Sequence, residues 1–194
     1  MTNRIIQAAA EEFKRVGYAG ATTAAIARKA GVTEAQLFRY FGSKSNLFRE
    51  SIFKPLDEHL LHFTKEHLPD AANNPDFKGN AALYMGELQR FIVENRHMIT
   101  SLVVAQTYET EAGQGVGAIG SLEKYFDRGA AIMKSQGGQN LKVDPKLMVR
   151  VSFAAVLACV MFWDWIFPPS LASDEEIKSA IHDFVLEGIS ANSD

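Results

Sequence analysis

Apolar residues recur at intervals of three and four along much of this chain, a spacing that predicts amphipathic helices. In residues 3–16, Ile6, Ala9, Ala10, Phe13 and Val16 share one face, Glu11, Glu12, Lys14 and Arg15 point outward, and Gly17 closes the helix. Residues 22–44 read as two short helices joined by a tight turn. Ala24, Ile26, Ala27 and Ala30 give the first a small apolar face. Gly31 follows directly, and glycine best takes the left-handed conformation that ends a helix. Val32 plugs the corner. Thr33 is an N-cap with Gln36 three residues on, the pattern of a capping box. Leu37 and Phe41 share the inner face of the second helix, flanked by Phe38 and Tyr40. This spacing is a helix-turn-helix, with residues 3–16 as the third wall of a small bundle.

The rest of the chain continues in helices. Residues 43–68 carry Leu47, Phe48, Phe53, Leu56, Leu60, Leu61 and Phe63, with Pro55 predicted to kink or split them. Asn, Asp, Pro and Gly cluster in a loop at 69–80. Helices are expected at 81–94, 96–108 and 121–135, with a loose segment at 113–120 placed to gate a cavity. Asp144-Pro145 places a cap before a proline at the first helical position, and that helix is expected to reach Pro168. Apart from Ser152, residues 151–163 are apolar on every side and must be covered all round. Another capping box, Ser173 to Glu176, opens a last helix striped with Ile177, Ile181, Phe184, Val185 and Ile189. The expected fold is all-α: a three-helix helix-turn-helix domain at 1–48 and a larger helical domain at 49–194, to which the family resemblance described below assigns effector binding and dimerisation. A second copy of the chain, pairing through about 145–167 and 174–190, covers the remaining apolar faces. One larger monomeric core is the alternative.

The net charge of −3 does not announce a nucleic-acid partner, but its distribution does more. Residues 1–50 hold eight Lys or Arg against four Glu, a surplus of four positive charges, which leaves −7 on the remainder. A basic head on an acidic body suits a protein that meets phosphate at one end. The single cysteine, Cys159, lies in an apolar run and reads as a small buried hydrophobe. It has no intramolecular disulfide partner, which fits a reducing cytoplasm. No signal core and no membrane-length apolar run is present, so a soluble cytoplasmic protein is expected.

The second short helix leaves Glu34, Gln36 and Arg39 outside. Gln pairs bidentately with adenine, Arg with guanine or phosphate, and a carboxylate accepts from cytosine N4. Lys44 falls in the first turn of the next helix, where the dipole disfavours a cation; an anion held there, a DNA phosphate above all, makes sense of it. Gly17-Tyr18, Thr22-Thr23, Ile26-Ala27, Ala30-Gly31-Val32-Thr33, Leu37-Phe38-Arg39-Tyr40-Phe41 and Lys44-Ser45-Asn46-Leu47-Phe48 together resemble the N-terminal domain of the tetracycline-repressor (TetR) family. The resemblance implies a homodimeric transcriptional regulator, a repressor released from a near-palindromic operator on double-stranded DNA by a small, mostly apolar effector. It implies DNA contacts at Thr22, Thr23, Thr33, Glu34, Ala35, Gln36, Phe38, Arg39, Tyr40 and Lys44. Two positions depart from the family pattern. Ala25 stands where an acid usually completes a capping box, and Phe38 stands where Tyr is common.

In the body, Phe63, Phe91, Met98, Tyr108, Phe126, Met133 and Trp163 are the candidate effector contacts. Asp164 between two tryptophans is either exposed at a helix end or paired with a cation. Glu58, His59, His62, Glu66 and His67 lie at helical spacing, which makes a metal site conceivable, although the residues read more simply as a solvated face. No cofactor is implied. An enzyme would need a nucleophile with its base, a Gly-rich phosphate loop or metal-ligand spacing, and none stands out. A helical ligand-binding or adaptor protein that has lost operator binding is the alternative reading.

Overall fold

The computed structural model describes residues 1–68, 76–109, 119–137 and 143–190, and every regular element in them is a helix. In chain order these are α1 (Thr2–Gly20), α2 (Thr23–Ala30), α3 (Glu34–Phe41), α4 (Lys44–His67), α5 (Phe77–Glu94), α6 (Arg96–Glu109), α7 (Gly120–Gly137), α8 (Pro145–Met161), α9 (Trp163–Ile166) and α10 (Asp174–Ser190). They group into two compact units, Met1–Glu58 with Asn95–Glu123, and His59–Glu94 with Lys124–Asp194. That grouping differs from a single cut after residue 48, because the division falls inside α4 and because α6 packs against α1.

In the first unit, Ile6, Ala9, Phe13, Ile26, Leu37, Leu47 and Phe48 are buried as the amphipathic pattern predicts, but Ile5 joins them, Ala10 and Val16 are only half-buried, and Glu12, expected outward, is buried and paired with Arg15. Gly17 has φ 71° and ψ 173°, so the regular part of α1 ends there, and Tyr18 begins a separate turn. Tyr18, Phe13 and Phe48 form a ring cluster with centroids 4.6–6.0 Å apart. Truncating a residue such as Leu37 would cost about 2–5 kcal/mol, a large share of a small domain's stability.

α4 runs from Lys44 to His67 with Pro55 inside it and is not split there, although proline has no N–H to donate to the Ser51 carbonyl. In the second unit, α8 buries Val149, Ser152, Phe153, Val156 and Val160 on one face, and Asp144 caps it by accepting from the Lys146 N–H at 2.7 Å. The helix expected to reach Pro168 stops at Met161. Phe162 leaves helical geometry (φ −108°, ψ 25°), and the one-turn α9 follows. The aromatic run from 162 to 167 has poor helix propensity, and its rings pack on each other instead: Phe162 on Trp165 at 5.3 Å, Trp163 on Phe167 at 5.1 Å. The Ser173 capping box forms as expected, with the Glu176 N–H donating to Ser173 Oγ and the Ser173 N–H to Glu176 Oε2. The expected loop at 69–80 shortens, since α5 already begins at Phe77, while 69–75 lie outside the described residues, as does most of the expected gate at 113–120. Among the described residues, no helix is long and apolar enough to cross a membrane.

Candidate nucleic-acid interface and apolar cavity

The geometry of α2 and α3 follows from their caps. Thr22 Oγ1 accepts from the Ala25 N–H at 3.1 Å; because residue 25 is alanine, no side chain returns the bond. Gly31 ends α2 in the left-handed conformation (φ 64°, ψ 42°), with the Val32 N–H reaching back to the Ala27 carbonyl at 3.0 Å. Arg4 reaches over from α1 and donates to the Ala30 carbonyl at 2.7 Å, placing a cation at the negative end of α2. At the start of α3 both halves of the capping box form, Gln36 N–H to Thr33 Oγ1 at 3.2 Å and Thr33 N–H to Gln36 Oε1 at 2.9 Å. The angle between α3 and α4 is held by Ser43 Oγ, which accepts from the Asn46 N–H, and by Asn46 Nδ2, which donates to the Phe41 carbonyl at 2.9 Å.

These contacts leave an outward face on which Thr33, Glu34, Ala35, Phe38, Arg39 and Tyr40 are exposed, with Thr22 beside it on α2. The Arg39 guanidinium lies 5.4 Å from the Tyr40 ring centroid and has no carboxylate partner among the described residues. Two candidates are less free than their spacing suggests. Gln36 is half-buried and its amide oxygen holds the cap. Thr23 Oγ1 donates to Glu34 Oε1 at 2.5 Å, tying the starts of α2 and α3 together. Lys44 lies at the start of α4 with Nζ 4.6 Å from the Tyr18 ring centroid, and burial pushes its pKa down. The ring supplies part of the stabilisation that an otherwise disfavoured cation needs. Tyr18, which the sequence shows only as half of a Gly-Tyr pair, thus positions Lys44.

The second unit contains an apolar cavity of about 80 Å³, lined chiefly by Leu60, Phe63, Tyr84, Met85, Tyr125 and Met133. Of the expected effector contacts, Phe63 and Met133 line it. Phe126 does not, but packs edge-on against Tyr125 and Phe153 and carries Arg150 over its ring at 4.7 Å. Phe91 and Trp163 lie elsewhere in the same unit, Met98 is buried in the other, and the Tyr108 side chain lies outside the described residues. Tyr84 and Tyr125 are the polar groups the expectation missed. Burial pushes the Tyr125 phenol up to about 12, partly offset by a hydrogen bond with Tyr84.

The histidines of α4 are engaged separately, His59 with Glu87 at 2.9 Å, His62 with Glu66 at 3.1 Å, and His67 against the Phe63 ring and carbonyl. Among the described residues, no three His, Cys, Asp or Glu side chains gather closely enough to hold a metal ion. Asp164 is exposed.

Residues 5–51 match the family described as "Bacterial regulatory proteins, tetR family". Over 72 residues the chain is 33% identical to uncharacterized HTH-type transcriptional regulators of Mycobacterium bovis and Mycobacterium tuberculosis, a match spanning 37% of this chain and 37% of each relative. The fold is shared more widely. A Thermus thermophilus FadR, a TetR-family repressor in complex with lauroyl-CoA, aligns with TM-score 0.62 at 19% identity over 100% of this chain and 97% of its own. A TetR regulator from Rhodococcus sp. RHA1 gives 0.61 at 20% identity, covering 99% and 96%. FadR of Bacillus subtilis with stearoyl-CoA gives 0.56 at 17%, covering 97% and 99%.

Proposed function

We propose, from the premise that residues 5–51 belong to the tetR family of bacterial regulatory proteins, that this chain is a homodimeric transcriptional repressor. In this reading α3 enters the major groove of a near-palindromic operator. Thr22, Arg39, Tyr40 and Lys44 meet backbone or base edges, and Thr23, Thr33, Glu34, Ala35, Gln36 and Phe38 complete the surface. The observation that carries the reading is the exposed, uncompensated face of a rigidly capped α3 on a basic head.

Pairing rests on α8, α9 and α10. Leu147, Val151, Trp165, Leu171 and Phe184 are all more than half exposed, and an apolar groove of about 560 Å³ runs past Ala155, Cys159, Phe167, Leu171 and Phe184. Burying such side chains stabilises by roughly 1.5–3 kcal/mol each, so five per subunit reach the order of 10 kcal/mol that association must offset.

The effector is an acyl chain or similar apolar molecule. The lining of the cavity supports this, as do the two acyl-CoA-bound proteins of the same fold. A cavity of about 80 Å³ is well below the roughly 300–1,000 Å³ of a working ligand site, so binding requires Met85 and Met133 to move, as flexible thioether side chains do readily.

The test is fluorescence anisotropy with duplex DNA from upstream of the gene. The reading requires tight binding that weakens steeply with salt and is reversed by lauroyl-CoA. Indifference to that duplex at low salt would favour the second reading, a helical ligand-binding or adaptor protein. The Thr23–Glu34 bond gives that reading some weight, because it sets a carboxylate beside the expected phosphate path.

A further inference from the structure

Ser152 is the one polar residue in the apolar run of α8. Alanine would fill nearly the same space there and is the better helix former, so the hydroxyl calls for a reason. Ser152 is 8% exposed and lines the apolar cavity beside Val149 and Phe153. A hydroxyl inside a helix commonly folds back onto a carbonyl of the preceding turn. Ser51 does so on Phe48 at 2.7 Å, Thr64 on Leu60 at 2.7 Å, Thr100 on Arg96 at 2.9 Å and Ser135 on Ile132 at 2.7 Å. Ser152 does not, and its hydroxyl has no hydrogen-bond partner among the described residues. Nor is it sealed off, as the Tyr84 hydroxyl is: the oxygen stays open to a molecule the size of water, and the cavity is the space it borders.

The rest of the lining defines what that oxygen can meet. It contains no Asp, Glu, Lys, Arg or His. Tyr125 hydrogen-bonds with Tyr84, and burial keeps its phenol neutral; Asn80 Nδ2 donates to the His67 carbonyl at 3.5 Å. A trapped water needs two to four polar partners, which a lining this apolar is poorly made to give. An oxygen carried on an apolar body needs only one. A carboxylate would be buried there with no cation to pair it, which is strongly disfavoured. A carbonyl or a hydroxyl carries no such penalty, and a serine can donate to the first and exchange either role with the second.

We propose that Ser152 is a specificity-determining residue of the cavity, hydrogen-bonding one neutral oxygen, a carbonyl or a hydroxyl, on an otherwise apolar effector. This rests on the reading of the cavity as the effector site. It narrows the effector to esters, thioesters, ketones or alcohols and excludes free carboxylic acids in their ionised form. Ethylbenzene, acetophenone and 1-phenylethanol test it, since they share one shape and differ by a single oxygen, and benzoate adds the charge. Isothermal titration of the full-length protein at pH 8 is expected to give saturable heat with the three neutral compounds and none with benzoate. Ser152→Ala, which removes one oxygen and suits a helix, is expected to weaken acetophenone and 1-phenylethanol by roughly threefold to tenfold relative to ethylbenzene. Met133→Trp, which fills the cavity, is expected to abolish all three signals and so to place them there. A Ser152→Ala protein that binds the three compounds in the wild-type ratio overturns the proposal, as does binding that survives Met133→Trp. Benzoate bound as tightly as acetophenone overturns the neutral assignment. If lauroyl-CoA binds and none of the neutral compounds does, this inference alone falls; if lauroyl-CoA fails as well, the reading of the cavity as an effector site falls with it.

Discussion

Gln36 faces two demands that pull its amide in different directions, one back toward the Thr33 N–H and one out toward a base edge. Bidentate pairing with adenine uses both its oxygen and its nitrogen, yet the oxygen already accepts from the Thr33 N–H. The sequence pattern contained both readings, and the geometry favours the cap. Gln36→Ala is therefore expected to lower stability by about 0.5–1 kcal/mol through the lost cap, with little change in sequence preference; thermal melts and a base-substitution binding series separate the two. Lys44 behaves differently. Its ammonium lies over the Tyr18 ring and is unpaired by any described carboxylate, which leaves it available for the phosphate contact proposed above. Lys44→Ala should weaken DNA binding across all sequences and reduce the salt slope by about one unit, read from affinities at several salt concentrations. The Tyr18–Lys44 contact was not legible in the sequence, because it depends on Gly17 turning the chain out of α1 so that Tyr18 meets α4.

At the scale of elements, local chemistry was read well and non-local packing was not. The stop at Gly31, the caps at Thr22, Thr33, Asp144 and Ser173, and the buried faces of α1, α3 and α8 follow from spacing and propensity over a few residues. The return of α6 to α1 joins residues some ninety apart, and no short-range pattern encodes it. For the same reason Phe63 and Met133 meet at the cavity while Met98, equally apolar, does not. The His182–Gln89 contact between α10 and α5 carries a pH signature. Burial lowers the His182 pKa from 6.5, with Asp183 acting in the opposite sense. Below that value the unfolded chain takes up a proton that the folded chain resists, so this contribution to stability is present at neutral pH and is lost on acidification. His182→Gln should flatten the fall in denaturant midpoint between about pH 7 and pH 5, the range in which a histidine titrates.

For the whole molecule, the exposed apolar side chains of α8, α9 and α10 and the basic character of the head make one prediction together. Phe184 is 71% exposed on α10 yet aligned with the buried Ile177 and Ile181 stripe. Phe184→Glu should yield a folded monomer by analytical ultracentrifugation and should reduce operator affinity at least tenfold, since two heads no longer bind as a unit. In the same account, lauroyl-CoA raises the melting temperature of the wild type, and Met133→Trp, which fills the cavity, removes that increase while leaving DNA binding intact.

The most direct measurement is a footprint on the DNA flanking the gene at moderate salt. The account predicts two protected half-sites about one helical turn or a multiple of it apart, related by a near two-fold axis, with protection lost on Arg39→Ala and on addition of the acyl ligand. Protein that is folded and dimeric but leaves the DNA unprotected even at low salt would contradict it.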